Sequence, residues 1–84
     1  MNELTLGEYR VGKNFNPSNN DNVDVIKTKA AELIDLIEKL KPIDPIHCEE
    51  HNHTRDQEKL RLSIIAQDQI ESAAMFAVKA ATKQ

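Results

Sequence analysis

The residues that could do chemistry lie mainly in the first third of the chain. Tyr9 and Phe15, two of the three aromatic residues, fall among turn-forming residues and outside any periodic apolar pattern. Arg10 and Lys27 add positive charge to the same part of the sequence. Because aromatic rings stack on bases and cations bind phosphates, this combination is typical of nucleotide-binding sites. The structural alternative is that both aromatic side chains only pin the N-terminal segment onto a helix.

A second group of reactive side chains lies in the middle of the chain. Residues 47–53, His-Cys-Glu-Glu-His-Asn-His, contain all three histidines and the only cysteine. Imidazole and thiolate groups can bind Zn²⁺, but the Cys-x-x-Cys pair of a structural zinc site is missing from this run. Cys48 and His51 could form a nucleophile and base, yet the sequence around them supplies no oxyanion hole. We therefore expect a solvated loop, with no metal, no cofactor and no catalytic residue.

Length and charge exclude several classes of protein. The chain has 84 residues and a formal net charge of −3, whereas proteins that bind DNA or RNA in bulk usually carry a basic surface. A small anionic ligand needs only a few local cations and stays possible. No apolar run approaches the roughly 20 residues that span a bilayer, and the N-terminus lacks the features of a signal peptide. We expect a protein of the cytoplasm with no membrane partner.

The pattern of apolar and turn-forming residues predicts a single all-α domain, a two-helix hairpin with an irregular N-terminal leader. The leader covers 1–21, the first predicted helix 22–41, the connecting loop 42–53 and the second predicted helix 54–82. Pro42 ends the first helix, and Thr54-Arg55-Asp56-Gln57 has the pattern of a capping box. The apolar positions of the first helix alternate spacings of three and four, as in a heptad: Val23, Ile26, Ala30, Leu33, Ile37 and Leu40.

The second predicted helix has two adjacent apolar stripes, more than a hairpin can cover. The first stripe comprises Leu62, Ala66, Gln69, Ala73, Phe76 and Ala80. The second comprises Ile70, Ala74, Val78 and Ala81. Because each helix of a hairpin covers only one stripe of the other, the remaining stripe must meet another subunit or stay wet. This predicts a symmetric oligomer, and the alternative is a monomer whose leader folds over the second stripe.

The same residues carry a resemblance to a known family. The quoted segments are Tyr9-Arg10, Val11-Gly12-x-x-Phe15-Asn16-Pro17-Ser18, Val23-x-x-Ile26-Lys27 and the helix Ala73-Ala74-Met75-Phe76-Ala77-Val78-Lys79-Ala80. Their order and spacing resemble the phage anti-CBASS protein 2 family, hairpin-domain sponges that sequester cyclic oligonucleotide immune signals. The resemblance covers most of the chain and is weakest from Pro42 to Thr54.

The resemblance implies a viral protein that is not an enzyme and that acts in the host bacterial cytoplasm. It would bind cyclic dinucleotides such as cGAMP without cleaving them, and so block CBASS-type immunity. It also implies a homohexamer built from antiparallel dimers. Tyr9 and Lys27 match the family's ligand-binding Tyr and Lys, although the leader between them is longer here. Their place in the leader makes Arg10, Phe15 and Asn16 supporting residues of the same ligand-binding site.

Several alternatives stay open at the level of sequence. A small helical interaction module that binds and inhibits a host protein would also expose an apolar helical stripe. Within the family resemblance, the preferred cyclic nucleotide, a separate site for cyclic trinucleotides and the binding of ADP-ribose-type signals are all undecided.

Overall fold

The computed structural model describes residues 3–42 and 50–83, with the backbone alone for 50–53. Three helices make up this part of the chain: α1 (Leu6–Val11), α2 (Asp21–Glu38) and α3 (Glu50–Thr82), and it contains no strand. Asn20 bonds to Ala81 at one end of the long helices, and Gln67 bonds to Ile34 further along. These pairings run in opposite directions along the chain, so α2 and α3 form an antiparallel hairpin. The all-α prediction is confirmed.

The prediction of an irregular leader is wrong, because the leader contains α1. Thr5 caps this helix with a capping box: its Oγ1 accepts from the Glu8 N–H at 3.1 Å, and Glu8 Oε1 accepts from the Thr5 N–H at 3.0 Å. Gly12 ends the helix in the left-handed conformation, with φ 66°. Both are recognised sequence signals for helix ends. The bond from the Thr5 N–H and then the pairing with Lys13 lower the pKa of Glu8.

Helix α1 lies against both long helices, mostly against α2. Gly7 is buried at this contact, and its N–H donates to Oδ1 of Asp35 at 2.8 Å. A Cβ atom on Gly7 would lie 2.1 Å from the carbonyl oxygen of Ala31, so only glycine allows this close approach. Further along α1, Arg10 reaches α3. Helix α1 is therefore a strap fastened to both arms of the hairpin.

The buried face of α2 is rotated from the predicted one. It consists of Val23, Lys27, Ala31 and Ile34, whereas Leu33 and Leu40 of the predicted stripe are 45% and 49% exposed. The reason is that α2 has two partners, α1 and α3, so its buried face is not the single heptad seam of an isolated hairpin. Helix α2 also ends at Glu38, before the predicted end at residue 41.

Helix α3 begins at Glu50, so the predicted capping box at Thr54 does not start it. Its buried residues are Ser63, Gln67 and Ala74, on the side of the second predicted stripe. Gln67, only 1% exposed, donates from Nε2 to the Ile34 carbonyl at 3.0 Å and to Glu38 Oε1 at 3.1 Å. These bonds satisfy a polar group that would otherwise be costly to bury.

The first predicted stripe of α3 points away from α2, and we call it the outer stripe. Five of its six residues are exposed, namely Leu62, Gln69, Ala73, Phe76 and Ala80, and Ala66 is half-buried. The molecule extends over 53 × 31 × 12 Å, about one helix diameter in its thinnest direction. Its radius of gyration is 15.7 Å, against about 12 Å for a compact domain of this length. The hairpin therefore leaves much apolar surface uncovered.

Two further predictions concern the loop and the membrane. His47 and Cys48 lie outside the described residues, as do the side chains of His51 and His53, so the solvated-loop and metal predictions stay predictions. Within the described residues, no helix combines the length and the apolar character needed to span a membrane.

The close approach at Gly7 makes a first prediction. Gly7→Ala should lower the free energy of unfolding by about 3 kcal/mol, because the added methyl group meets backbone that cannot move aside. Gly12→Ala is the matched control: its methyl group has room, and only the positive φ disfavours it, by about 1–2 kcal/mol. Urea denaturation measures both values. Equal losses for the two variants would contradict the docking of α1 through Gly7.

Candidate functional site

Lys27 lies at the centre of the site, on the buried face of α2, with only 8% of its surface exposed. Its Nζ donates to the carbonyl oxygen of Gly12 at 2.9 Å and to the carbonyl oxygen of Phe15. A buried ammonium group needs such partners, because an unpaired charge in a protein interior is very costly. The segment after α1 therefore folds around a cation that α2 provides.

The ring of Phe15 lies beside the same cation. Its centroid is 5.6 Å from Lys27 Nζ, within the range of a cation–π interaction. The backbone supports this arrangement, because the Phe15 N–H donates to the Gly12 carbonyl at 2.9 Å. Phe15 is nevertheless 70% exposed, so much of its ring remains accessible to a ligand.

Asn16 builds the turn that follows Phe15. Its Nδ2 donates to the Asn20 carbonyl at 3.0 Å and to Asp24 Oδ1 at 3.1 Å, and its Oδ1 accepts from Ser18 Oγ at 2.6 Å. Asn20 in turn caps α2, and its Nδ2 donates to the Ala81 carbonyl at 3.0 Å. These bonds explain why a segment rich in Asn and Ser adopts one conformation here. Asn16 therefore supports the wall of the site.

Two pockets open on either side of Lys27. The larger, which we call the turn pocket, has a volume of about 420 Å³, within the range of small-molecule sites. The turn supplies one wall, α2 supplies Val23 and Lys27, and the C-terminal part of α3 supplies Val78 and Thr82. An aromatic ring, a cation and two helices thus surround one space.

The smaller pocket, which we call the clamp pocket, has a volume of about 260 Å³ and shares Lys27 and Val78 with the turn pocket. Its remaining lining comes from α1 and α3: Arg10, Val11, Glu71, Ala74, Met75 and Lys79. It therefore combines an apolar floor with both signs of charge.

Arg10 is held on the rim of this pocket by two carboxylates of α3. Its Nε lies 2.5 Å from Glu71 Oε1, and its Nη2 lies 2.8 Å from Asp68 Oδ1. The hydrogen bond to Glu71 and then that to Asp68 raise the pKa of Arg10, so the guanidinium stays charged. Because both carboxylates already neutralise it, Arg10 fastens the strap to α3 and presents little net charge to a ligand.

Tyr9 takes a different position from the other predicted site residues. It lies on the outward side of α1, 76% exposed, and lines neither the turn pocket nor the clamp pocket. Lys27, Phe15 and Asn16 meet at the turn pocket, and Arg10 joins Lys27 at the clamp pocket. Within one chain the structure thus brings together four of the five predicted residues.

The residues on the α3 side of the site were not predicted from the sequence. Val78 lines both pockets, Lys79 and Glu71 line the clamp pocket, and Thr82 lines the turn pocket. A signal for this wall was present, because Val78 belongs to the second predicted stripe and Lys79 follows it directly. The sequence alone does not show which stripe of α3 faces the leader, so it could not identify these residues as part of the site.

These features define a class of protein: a small all-helical hairpin-domain protein with a cation-centred site beside its N-terminal strap. The family model that matches the chain is described as the Acb2/Tad1 hairpin domain, and the match covers residues 8–82. The chain therefore belongs to the Acb2/Tad1 hairpin-domain family, and the predicted relationship to anti-CBASS protein 2 is confirmed. Comparisons with curated proteins and with solved structures found no significant match.

The bonds of Lys27 make a second prediction. Lys27→Met keeps most of the side-chain volume but removes the donors to the Gly12 and Phe15 carbonyls, so the free energy of unfolding should fall by about 1–3 kcal/mol. Lys29→Met, at an exposed position of the same helix, is the matched control and should stay within about 0.5 kcal/mol of the wild type. Thermal unfolding measured by circular dichroism checks both. A Lys27→Met protein as stable as the control would contradict the structural role of this ammonium group.

Proposed function

We propose that this protein binds host cyclic oligonucleotide messengers, in particular cyclic dinucleotides such as cGAMP, and sequesters them without cleaving them. In the host bacterial cytoplasm this would keep the effector of CBASS-type immunity inactive. Membership of the hairpin-domain family supports the proposal. The observation that carries it is the ammonium group of Lys27, enclosed under the exposed ring of Phe15 and bordering two pockets.

The chemistry of these groups suits such a ligand. An ammonium group has three donors, and the Gly12 and Phe15 carbonyls accept two of them, so one donor remains for a phosphate oxygen. The exposed ring of Phe15 offers a face on which a base can stack. Binding needs no bond to be broken, so the proposed role requires no catalytic residue.

We infer that Tyr9 contributes to the ligand site of a second copy of the chain. Its exposed ring lies away from both pockets, as expected of a residue that completes a site across a subunit interface. A cyclic dinucleotide has two bases and two phosphates related by a near-twofold axis. A twofold interface would offer it two Tyr9 rings and two Lys27 ammonium groups.

The same proposal includes assembly into a homo-oligomer, a hexamer of antiparallel dimers by family resemblance. The outer stripe supports it, since its large apolar residues, such as Phe76 at 68% exposure, face away from α2. Its small residues Ala73 and Ala80 would let another helix approach closely. Monomeric proteins seldom leave an apolar stripe of this length, interrupted only by Gln69, in water.

Assembly through the outer stripe makes a third prediction. Ala80→Glu should dissociate the oligomer, because a carboxylate at a close helix contact must be desolvated. Gln57→Glu adds the same charge at an exposed position elsewhere on α3 and should leave assembly intact. Light scattering at micromolar concentration measures the particle mass. A wild-type particle of 9.5 kDa would mean that the chain is a monomer and would overturn this part of the proposal.

The outer stripe also favours a second candidate function, a helical interaction module that binds and inhibits a host protein. Leu62 and Phe76 could insert into a partner's groove as anchor residues. The two functions differ in ligand: the interaction module would bind no cyclic nucleotide, and its host partner would compete with self-assembly.

Ligand binding makes the fourth prediction. Calorimetry against a panel of cyclic dinucleotides, cyclic trinucleotides and ADP-ribose derivatives should identify at least one cyclic dinucleotide as a ligand, and chromatography should return it intact. Tyr9→Ala should weaken binding by about 1–3 kcal/mol through the loss of a stacking face. Tyr9→Phe keeps the ring and is the control. A folded, oligomeric Tyr9→Ala, Lys27→Ala double variant that binds as tightly as the wild type would refute the assignment.

A further inference from the structure

The clamp pocket is surrounded by both positively and negatively charged side chains. Arg10, Lys27 and Lys79 give it three positive charges, whereas Glu71 lines it with a negative charge and Asp68 adds another through its bond to Arg10. The net charge of this cluster is therefore about +1. Among the described residues Lys79 makes no ion pair, and Lys27 bonds only to carbonyl oxygens, so these two lysines supply the attraction for an anion.

A phosphate neutralises this cluster when it carries about one negative charge, and the two common kinds of phosphate differ in their charge. A phosphodiester carries one negative charge, whereas a phosphomonoester carries about 1.5 to 2 near neutral pH. We propose that Glu71, together with Asp68, is a specificity determinant that lets the clamp pocket accept phosphodiesters and disfavours phosphomonoesters. The proposal deepens the proposed function and rests on it, because it concerns the phosphates of the same ligand.

The geometry keeps Glu71 in place while a ligand binds. Arg10 holds Glu71 and Asp68 at 2.5 and 2.8 Å, and it would have to give up both bonds to turn toward an incoming phosphate. The carboxylate of Glu71 therefore stays on the pocket wall and repels excess negative charge. Val11, Ala74 and Met75 line the same space, and an apolar lining strengthens repulsion by lowering the local dielectric constant.

This charge preference distinguishes a cyclic dinucleotide from its ring-opened linear form. Every phosphate of a cyclic dinucleotide is a diester, whereas its ring-opened linear form ends in a monoester with about one more negative charge. One diester phosphate bound here leaves the cluster neutral, whereas a monoester leaves about one negative charge uncompensated beside Val11, Ala74 and Met75, which is costly. The charge balance therefore favours the intact messenger over its degradation product. The sponge would then stay available for active messenger when linear product accumulates in the cell.

The fifth prediction tests this selectivity with cyclic GMP–AMP and its linear form carrying a terminal phosphate. The wild type should prefer the cyclic form, and Glu71→Gln should reduce that preference about three- to tenfold, mainly by tightening binding of the linear form. The glutamine keeps an oxygen that can accept a hydrogen bond from Arg10. Asp68→Asn is a second variant that removes one negative charge from the same cluster. Glu58→Gln, about 20 Å away along α3, removes the same charge outside the pocket and should not change the preference. Calorimetry at one fixed salt concentration measures the affinities of both ligands for each variant.

The outcomes separate this inference from the function on which it rests. If the wild type binds cyclic GMP–AMP but Glu71→Gln and Asp68→Asn change both affinities by the same factor, the inference is overturned and the sponge function stands. If neither the panel nor this pair of ligands binds the wild type, the sponge function is overturned and the inference falls with it. Thermal unfolding of each variant shows whether α1 stays attached, so that a loss of binding caused by unfolding is recognised.

Discussion

The rest of the site depends on one interaction, the enclosure of the Lys27 ammonium group by backbone carbonyl oxygens. A charge on the buried face of α2 must be satisfied, and the Gly12 and Phe15 carbonyls satisfy it. This requirement fixes the path of the chain after α1, because the left-handed Gly12 and the turn at Asn16 direct both carbonyls inward. The ring of Phe15 then has to lie beside the cation. A polar residue in the core thus specifies one conformation for a segment that has little apolar surface of its own.

The strap is fastened at two points of different chemistry. Near its start, the N–H of Gly7 donates to Asp35 on α2, and the absence of a side chain lets the backbones meet. Near its end, Arg10 bonds to two carboxylates on α3. The first contact combines close packing with one part-buried hydrogen bond, whereas the second consists of ion pairs, so salt weakens mainly the second. The two pockets lie beside this strap, so their shape depends on both contacts.

The sequence was sufficient to predict the hairpin but not the parts that depend on tertiary partners. The spacing of apolar residues in α2 and α3 predicted both long helices, whereas Pro42 led to a predicted end at residue 41, three residues beyond the observed end at Glu38. Helix α1 was missed because six residues show no periodicity, although Thr5, Glu8 and Gly12 carry its end signals. The burial of Lys27 could not be predicted, since periodicity treats lysine as polar and its partners are backbone atoms. The carboxylates that bind Arg10 lie 58 and 61 residues away and could be assigned only from the fold.

These long separations also determine the order in which the molecule can fold. The hairpin can form from contacts between α2 and α3 alone, but Arg10 finds Asp68 and Glu71 only after α3 has closed on α2. Helix α1 is too short to persist by itself, because short isolated helices are marginal in water. The bonds between the strap and α3 therefore form after the hairpin has closed, and a strap of six residues opens locally at a lower free-energy cost than unfolding of the whole hairpin. A molecule bound in the clamp pocket, which α1 lines with Arg10 and Val11, would leave at the pace of that local opening, so its residence time would be set by the strap rather than by the stability of the whole hairpin.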